Sequence, residues 1–397
     1  MMSVWSSLVG QEAAVAKLSE AAASARAIVA SRGGAHASDD ARSMSHAWLI
    51  TGPPGSGRSV AARAFAAALQ CTGETVGCGQ CAGCRTTMGR TNADVVFAAT
   101  ETSIINVETA RSLVLQAQSS PSQGLWRVIV VEDADRLGES GANALLKAIE
   151  EPPEHTVWLL CAPSPEDMIA TIRSRCRHLG LRIPTASAVA DLLVREGVAT
   201  PEVALEAARA AQSHIGLARA LARDPQMRER RRAIITAPAS VRSVGEAVMA
   251  ADRLLETAKA QADAQVSERN AREKAELLRQ LGMDEGESAT KASRTMIRQL
   301  EEDQKRRSKR ALTDAIDRAL IDLLAIYRDV LMIQVGGDGE LINTDLADLV
   351  GQIARDSTHR QTLARVEHIE TARKRLVSNG NPLLVLEDMA ISLRPQA

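Results

Sequence analysis

Short apolar runs alternate with longer amphipathic stretches over the first half of the chain. Ala47–Thr51 reads AWLIT and meets a Gly/Pro-rich turn, and residues 94–98 (DVVFA), 127–133 (RVIVVED) and 156–162 (TVWLLCA) repeat the pattern. Each run is too short for a stable helix and is bounded by polar or turn residues, so each predicts a strand. Helical periodicity separates them over 59–70, 106–118 and 139–151. Buried strands alternating with helices predict an α/β fold with a parallel sheet covered on both faces. An Ala-rich helix within residues 1–30 precedes this region, and a Gly/Ser/Asp-rich loop is expected over 31–45.

Beyond Pro184 the strand pattern stops. Residues 185–235 predict small helices, and 313–397 return to amphipathic helix, as in IDRALIDLLAIYRDVL. Between them, residues 258–312 carry 23 charged side chains in 55 positions, against 24% for the whole chain, with no Pro and no aromatic. That composition predicts one or two long exposed helices broken near 282–286; the plain alternative is a disordered linker. No internal repeat is evident.

The 397 residues suffice for two or three domains. Hydrophobic residues make up 45% but aromatics only 2%, so the core must be aliphatic. A net charge of −1 gives no global field toward DNA or an anionic membrane, so any DNA contact would be local. The N-terminal residues lack a basic segment followed by an apolar run, and no stretch is long enough to span a bilayer. A soluble, cytoplasmic chain is expected.

Three clusters carry candidate chemistry. Gly52-Pro-Pro-Gly55-Ser-Gly57-Arg58-Ser59 fits the phosphate-loop pattern G-x-x-x-x-G-K-[ST] everywhere but Arg58. Between a strand and a helix, such a loop wraps backbone N–H groups around phosphate oxygens. Lys is a compact point charge there; the planar guanidinium is not equivalent. The end of 127–133 offers Glu132-Asp133, acidic groups of the kind that organise Mg²⁺, in the reverse of the Asp-then-Glu order that hydrolysis at a phosphate loop calls for. Phosphoryl transfer depends on positioning, so efficient hydrolysis is not expected. Binding of ATP with Mg²⁺ at this loop stays open. Cys71, Cys78, Cys81 and Cys84 place four thiols within fourteen residues. In a reducing compartment that spacing points to structural zinc rather than disulfides, and no Cys-Pro follows Cys84 as an iron–sulfur site would favour. Cys161 and Cys176 read as core residues. Finally, Thr171-Ile-Arg-Ser-Arg175-Cys176 sets two arginines two apart; without context they are surface ion-pair formers.

Taken in order, these motifs resemble the AAA+ clamp-loader ATPases of bacteria. The resemblance rests on Gly10-Gln11, the phosphate loop with a four-Cys insert after its helix, and Pro121 with Gly124 and Arg127. It continues through 143–153 (NALLKAIEEPP), Thr171–Cys176, Gly216-Leu-Ala-Arg219 as a sensor-2 helix, and 379–387 (NGNPLLVLE). It implies an AAA+ domain over 1–184 with a zinc module at 71–84, a helical lid over 185–240, and a helical collar over 241–397 containing the charged insert at about 258–312. Arg58, Glu132-Asp133 and the Ala162-Pro163 pair, where motor subunits carry threonines, imply the family's non-hydrolysing stator type. Nucleotide contacts would then come from Gly52, Gly55, Gly57, Arg58, Ser59, Glu132, Asp133 and Arg219. Arg175 would act in trans as an arginine finger, with Arg173 a weaker candidate. The implied partners are gamma/tau motor subunits and a delta subunit, with the sliding clamp and primed DNA reached through the complex. Two other readings are an active motor-type ATPase and a zinc-dependent DNA-binding protein. Against the latter, residues 72–83 contain no Lys or Arg.

Overall fold

The computed structural model describes residues 3–31, 43–98, 105–239, 241–281 and 291–394. Most of the loop expected over 31–45, and the helix break expected near 282–286, lie outside the described residues. The chain divides into two compact units, Met1–Ala222 and Arg223–Ala397.

The first unit contains, in order, α1 (Glu12–Ser31), β1 (Ala47–Thr51), α2 (Arg58–Leu69), α3 (Ala82–Met88), β2 (Val95–Ala98), α4 (Val107–Ala117), β3 (Arg127–Val131), α5 (Glu139–Glu150), β4 (Thr156–Ala162), α6 (Ala170–Arg173) and β5 (Arg177–Gly180), then α7 (Ala186–Arg195), α8 (Pro201–Ala210) and α9 (Ile215–Arg223). The strands form one parallel sheet in the order β2-β3-β4-β1-β5. Both faces are covered, which is why β1 and β4 are buried along their whole length and are apolar apart from Thr51 and Thr156. Trp48, Ile50, Val128, Val130, Leu159 and Cys161 pack beneath α1 and α2. Their neighbours Leu49, Ile129, Val131, Trp158, Leu160 and Ala162 face α4, α5 and α6. The two central tryptophans are fully buried but satisfied: Trp48 Nε1 donates to Ser45 O at 2.9 Å and Trp158 Nε1 to Ala148 O at 3.1 Å.

β5 was not expected from the sequence. Its four residues, RHLG, bury only Leu179. As a short, charged edge strand it lacks the apolar run that betrays the inner strands.

The second unit is entirely helical among the described residues: α10 (Pro225–Ala239), α11 (Val244–Gln280), α12 (Lys291–Gln334), α13 (Ala347–Asp356), α14 (His359–Val377) and α15 (Pro382–Ser392). Ser243 and Glu246 close a capping box at the start of α11, and Thr358 and Gln361 do the same for α14. The core draws Leu254, Ile316, Leu320, Leu323, Tyr327 and Leu386 from α11, α12 and α15. The charged block at 258–312 is helical over 258–280 and 291–312. Past Val266 no residue of α11 is buried. There the two helices are joined by polar contacts: Arg307 Nη1 donates to Asn270 Oδ1 at 2.7 Å and to Glu273 Oε2 at 2.8 Å.

Candidate phosphate loop and thiol cluster

Parallel strands bring their C-terminal ends to one edge. Thr51 sits beside Ala162 and Gly180, and Val131 beside Leu160. The loop after β1, Glu132 after β3 and Pro163 after β4 therefore share that edge, the usual place for ligands in open α/β sheets. The loop is held from outside. Gly52 N donates to Pro163 O at 3.1 Å. Buried Gln11 donates through Nε2 to Arg182 O at 2.5 Å and to Ser56 O at 3.3 Å, and accepts from Arg182 N. The Gly10-Gln11 pair thus fastens the loop.

Glycine is required inside it. Gly55 and Gly57 both have φ of 90°, and a Cβ on Gly55 would stand 2.9 Å from His214 Cα. Gly57 caps α2 and leaves Arg58 and Ser59 in its first turn, where free N–H groups and the helix dipole favour an anion. Among the described residues the buried Ser56 hydroxyl has no hydrogen-bond partner. The backbone thus has the form of a phosphate cradle. The Arg58 side chain, however, turns back and donates from Nη1 to Gly52 O at 2.6 Å.

The acidic pair fits a magnesium ion less well. Glu132 is 13% exposed and receives Arg90 Nη2 at 2.5 Å. Arg90 adopts φ of 59° and lies 5.0 Å from the centre of the Phe97 ring. On α2, Arg63 stands close enough that burial first, then Arg90, lower its pKa, with Glu132 opposing. Neither arginine was foreseen. No local motif marks Arg90, since its pairing spans 42 residues of chain. Asp133 adjoins Asp135, whose carboxyl is pushed up by burial and then by Asp133, against the pull of Arg136 and Arg58.

The remaining candidate side chains have partners outside the loop. Arg219 is paired with Glu196 through two hydrogen bonds of 2.9 and 2.8 Å. Arg175 precedes β5, at the opposite edge of the sheet. It pairs with Glu150 at the end of α5 and donates from Nη1 to Thr171 O at 2.8 Å. Arg173 Nη1 reaches Pro165 O at 3.3 Å. Cys161 is enclosed by the sheet, and burial pushes its thiol up to about 12.

The Sγ atoms of Cys71, Cys78, Cys81 and Cys84 all lie within 4.8 Å of one another. A tetrahedron with Zn–S bonds of ~2.3 Å has edges of roughly 3.8 Å, so a small contraction would bring all four onto one ion. Backbone N–H groups point at two of the sulfurs, while burial pushes the Cys84 thiol up. Cys78 Sγ accepts from Gln80 N and Cys81 N, and Cys81 Sγ accepts from Cys84 N, each at 3.4 Å. Burial would raise the Cys81 thiol, but N–H groups of Cys84 and Thr72 outweigh it and hold it down to about 6. Close packing explains two of the glycines: a Cβ on Gly73 would meet Cys78 Sγ at 2.7 Å, and one on Gly83 would meet Gln70 O at 2.0 Å. From α1, Arg26 donates to Cys71 O and Glu74 O, so the insert is tied to the body of the unit. The cluster can hold a metal such as zinc, with no position left open for a substrate.

Residues 36–185, which span the loop, the thiol cluster and Arg175, match the family model described as DNA polymerase III, delta subunit. The chain resembles DNA polymerase III subunits. It is 35% identical over 159 residues to the gamma/tau subunit of Mycobacterium tuberculosis, covering 39% of this chain and 28% of that one. It is 34% identical over 165 residues to the delta' subunit of Pseudomonas aeruginosa, covering 41% of this chain and 50% of that one. It thus spans half or less of the length of either. A gamma subunit-related protein from Thermotoga maritima aligns over 87% of this chain and 93% of its own, at a TM-score of 0.37 and 16% identity. So loose a likeness supports nothing further.

Proposed function

We propose that this chain is a non-hydrolysing, delta-prime-type stator subunit of a DNA polymerase III clamp loader. The observation that carries this reading is the Arg58 side chain, which bonds the carbonyl of Gly52 in its own loop. The cation that a motor enzyme extends toward the β- and γ-phosphates is here held by the loop's backbone. Glu132, held by Arg90, supports the same reading. The cradle retains the form to bind a phosphate, while Glu132, one of the acids that would organise Mg²⁺ and water for hydrolysis, is engaged by Arg90.

Arg175 takes its proposed role from its place on the sheet. Gly180 lies beside Thr51 at the loop edge and Arg177 beside Trp48 at the other. The strand from Arg177 to Gly180, about 10 Å at ~3.3 Å per residue, therefore separates Arg175 from the loop. It cannot serve its own loop, but it is half-exposed and can complete the ATP site of a neighbouring motor subunit. An arginine supplied in trans is worth roughly 10³–10⁵ in rate. On this reading Glu150 parks the guanidinium until a subunit docks. The four cysteines bind a structural zinc ion. Residues 1–184, 185–240 and 241–397 act as AAA+ domain, lid and collar, and gamma/tau and delta subunits are the partners.

The test is ATP hydrolysis by a clamp loader reconstituted with either the wild-type chain or Arg175→Ala, beside the isolated chain. We expect no turnover from the isolated chain, normal assembly of both complexes, and DNA- and clamp-stimulated turnover lowered at least tenfold by Arg175→Ala. Turnover by the isolated chain, with the complex indifferent to Arg175→Ala, would make it a motor subunit instead.

A further inference from the structure

We propose that the helical second unit contains a phosphate-binding site between the first half of α14 and the end of α15. The starting point is Arg365. It is only 5% exposed, yet among the described residues its guanidinium has neither a hydrogen bond nor an ion pair. Its one aromatic contact is the Tyr327 ring, whose centre lies 5.9 Å away, at the outer limit of a cation–π interaction. A buried cation with no anion is costly, so such groups are usually paired or occupy a ligand site.

Arg365 lines a cavity of about 230 Å³ with Arg360, Gln361, His368, Ser392 and Arg394. That is several times the ~30 Å³ a water occupies in the liquid, so a polyatomic anion fits. No carboxylate lines the cavity among the described residues. Asp356 lines a neighbouring cavity that Arg365 also borders, but it is engaged by Arg242 at 3.4 Å. Arg394 donates from Nε to Ile391 O at 2.9 Å, which fixes its side chain; among the described residues its terminal nitrogens make no other hydrogen bond.

Three guanidinium groups, those of Arg360 and Arg365 on α14 and that of Arg394 just past the end of α15, offer donors from several directions. That arrangement suits the tetrahedral oxygens of a phosphate better than a planar carboxylate, which one arginine fork would satisfy. The ligand class is therefore a phosphate group, either as the free ion or on a nucleotide. The site is separate from the phosphate loop and does not depend on the proposed stator role.

Tyr327 supplies a local reporter, being the only tyrosine in the chain. The full chain labelled with 3-fluorotyrosine should show one ¹⁹F resonance. It would be titrated with sodium phosphate at constant ionic strength, to hold screening fixed, and separately with ATP. We expect a saturable shift with phosphate, at least tenfold weaker binding in Arg394→Gln, and loss of the shift in Arg365→Met. Circular dichroism would verify that the variants are folded; Arg394→Gln, at the half-buried rim, tests the site even if Arg365→Met does not fold. Tighter binding of ATP than of phosphate would assign a nucleotide as the source, and the reverse the free ion. No shift with either ligand, equal affinity in Arg394→Gln, or a shift produced only by a DNA duplex would overturn the proposal.

Discussion

Asp94 is fully buried and accepts hydrogen bonds from Ser122 N (2.7 Å), Ser122 Oγ (2.9 Å), Gln123 N (2.8 Å) and Gly124 N (2.6 Å). Arg127 stands 3.7 Å away. Burial alone would raise the carboxyl, but the backbone N–H groups outweigh it and hold its pKa below the ordinary carboxylate value. Its contribution to stability is therefore complete above the unfolded pKa of ~3.9 and disappears as pH falls through the depressed folded value. Asp94→Asn should cost about 3 kcal/mol at neutral pH, the scale of removing one charge from a buried pair. Urea melts from about pH 7 to pH 2 should show that difference shrinking toward the acid end; a constant difference would refute the linkage. The signal for Asp94 was partly visible. Pro121, Gly124 and Arg127 stood out as a motif, but the acid that organises them lies 28 positions upstream of Ser122. A similar limit applies to Arg58. Its substitution for Lys is plain in the sequence, whereas its bond to Gly52 O depends on the curl of the loop.

At the scale of elements, α3 is the clearest case of a helix set by chemistry outside itself. It has only seven residues, and its N-cap is the thiol of Cys81, which accepts from Cys84 N. A helix this short is not stable on its own. If metal closes the cluster, purified protein should carry about one equivalent of zinc by elemental analysis, and Cys81→Ser should lose it and melt at a lower temperature. Equal metal content in the two proteins would remove these cysteines from the site. The inner strands were readable because burial on both faces demands unbroken apolar runs, as in β1 and β4. β5 was not, because an edge strand with one buried residue leaves no such trace. In α11, buried positions end at Val266 while the helix continues to Gln280. The high charge of that region was legible, but the pairing of Arg307 with Asn270 and Glu273 was not.

For the molecule as a whole, the second unit has its own core, built from residues between Ile235 and Leu393. A fragment of residues 223–397 should therefore fold alone, with a helical circular dichroism spectrum and a cooperative thermal transition. A gradual, non-cooperative melt would show that this core does not suffice. Among the described residues no helix is long and apolar enough to cross a membrane. The sequence by itself determined the α/β character of the first unit, the glycine loop between β1 and α2, the thiol spacing and the helical nature of the second unit. These are properties of local pattern: period, chirality at glycine and ligand spacing act over a few residues. Tertiary structure alone decided which residues meet. It put Arg175 at the opposite edge from the loop, gave Glu132 to Arg90, and buried Arg365 with no anion beside it among the described residues. Those outcomes depend on strand order and helix packing, which bring together residues that are distant in the chain.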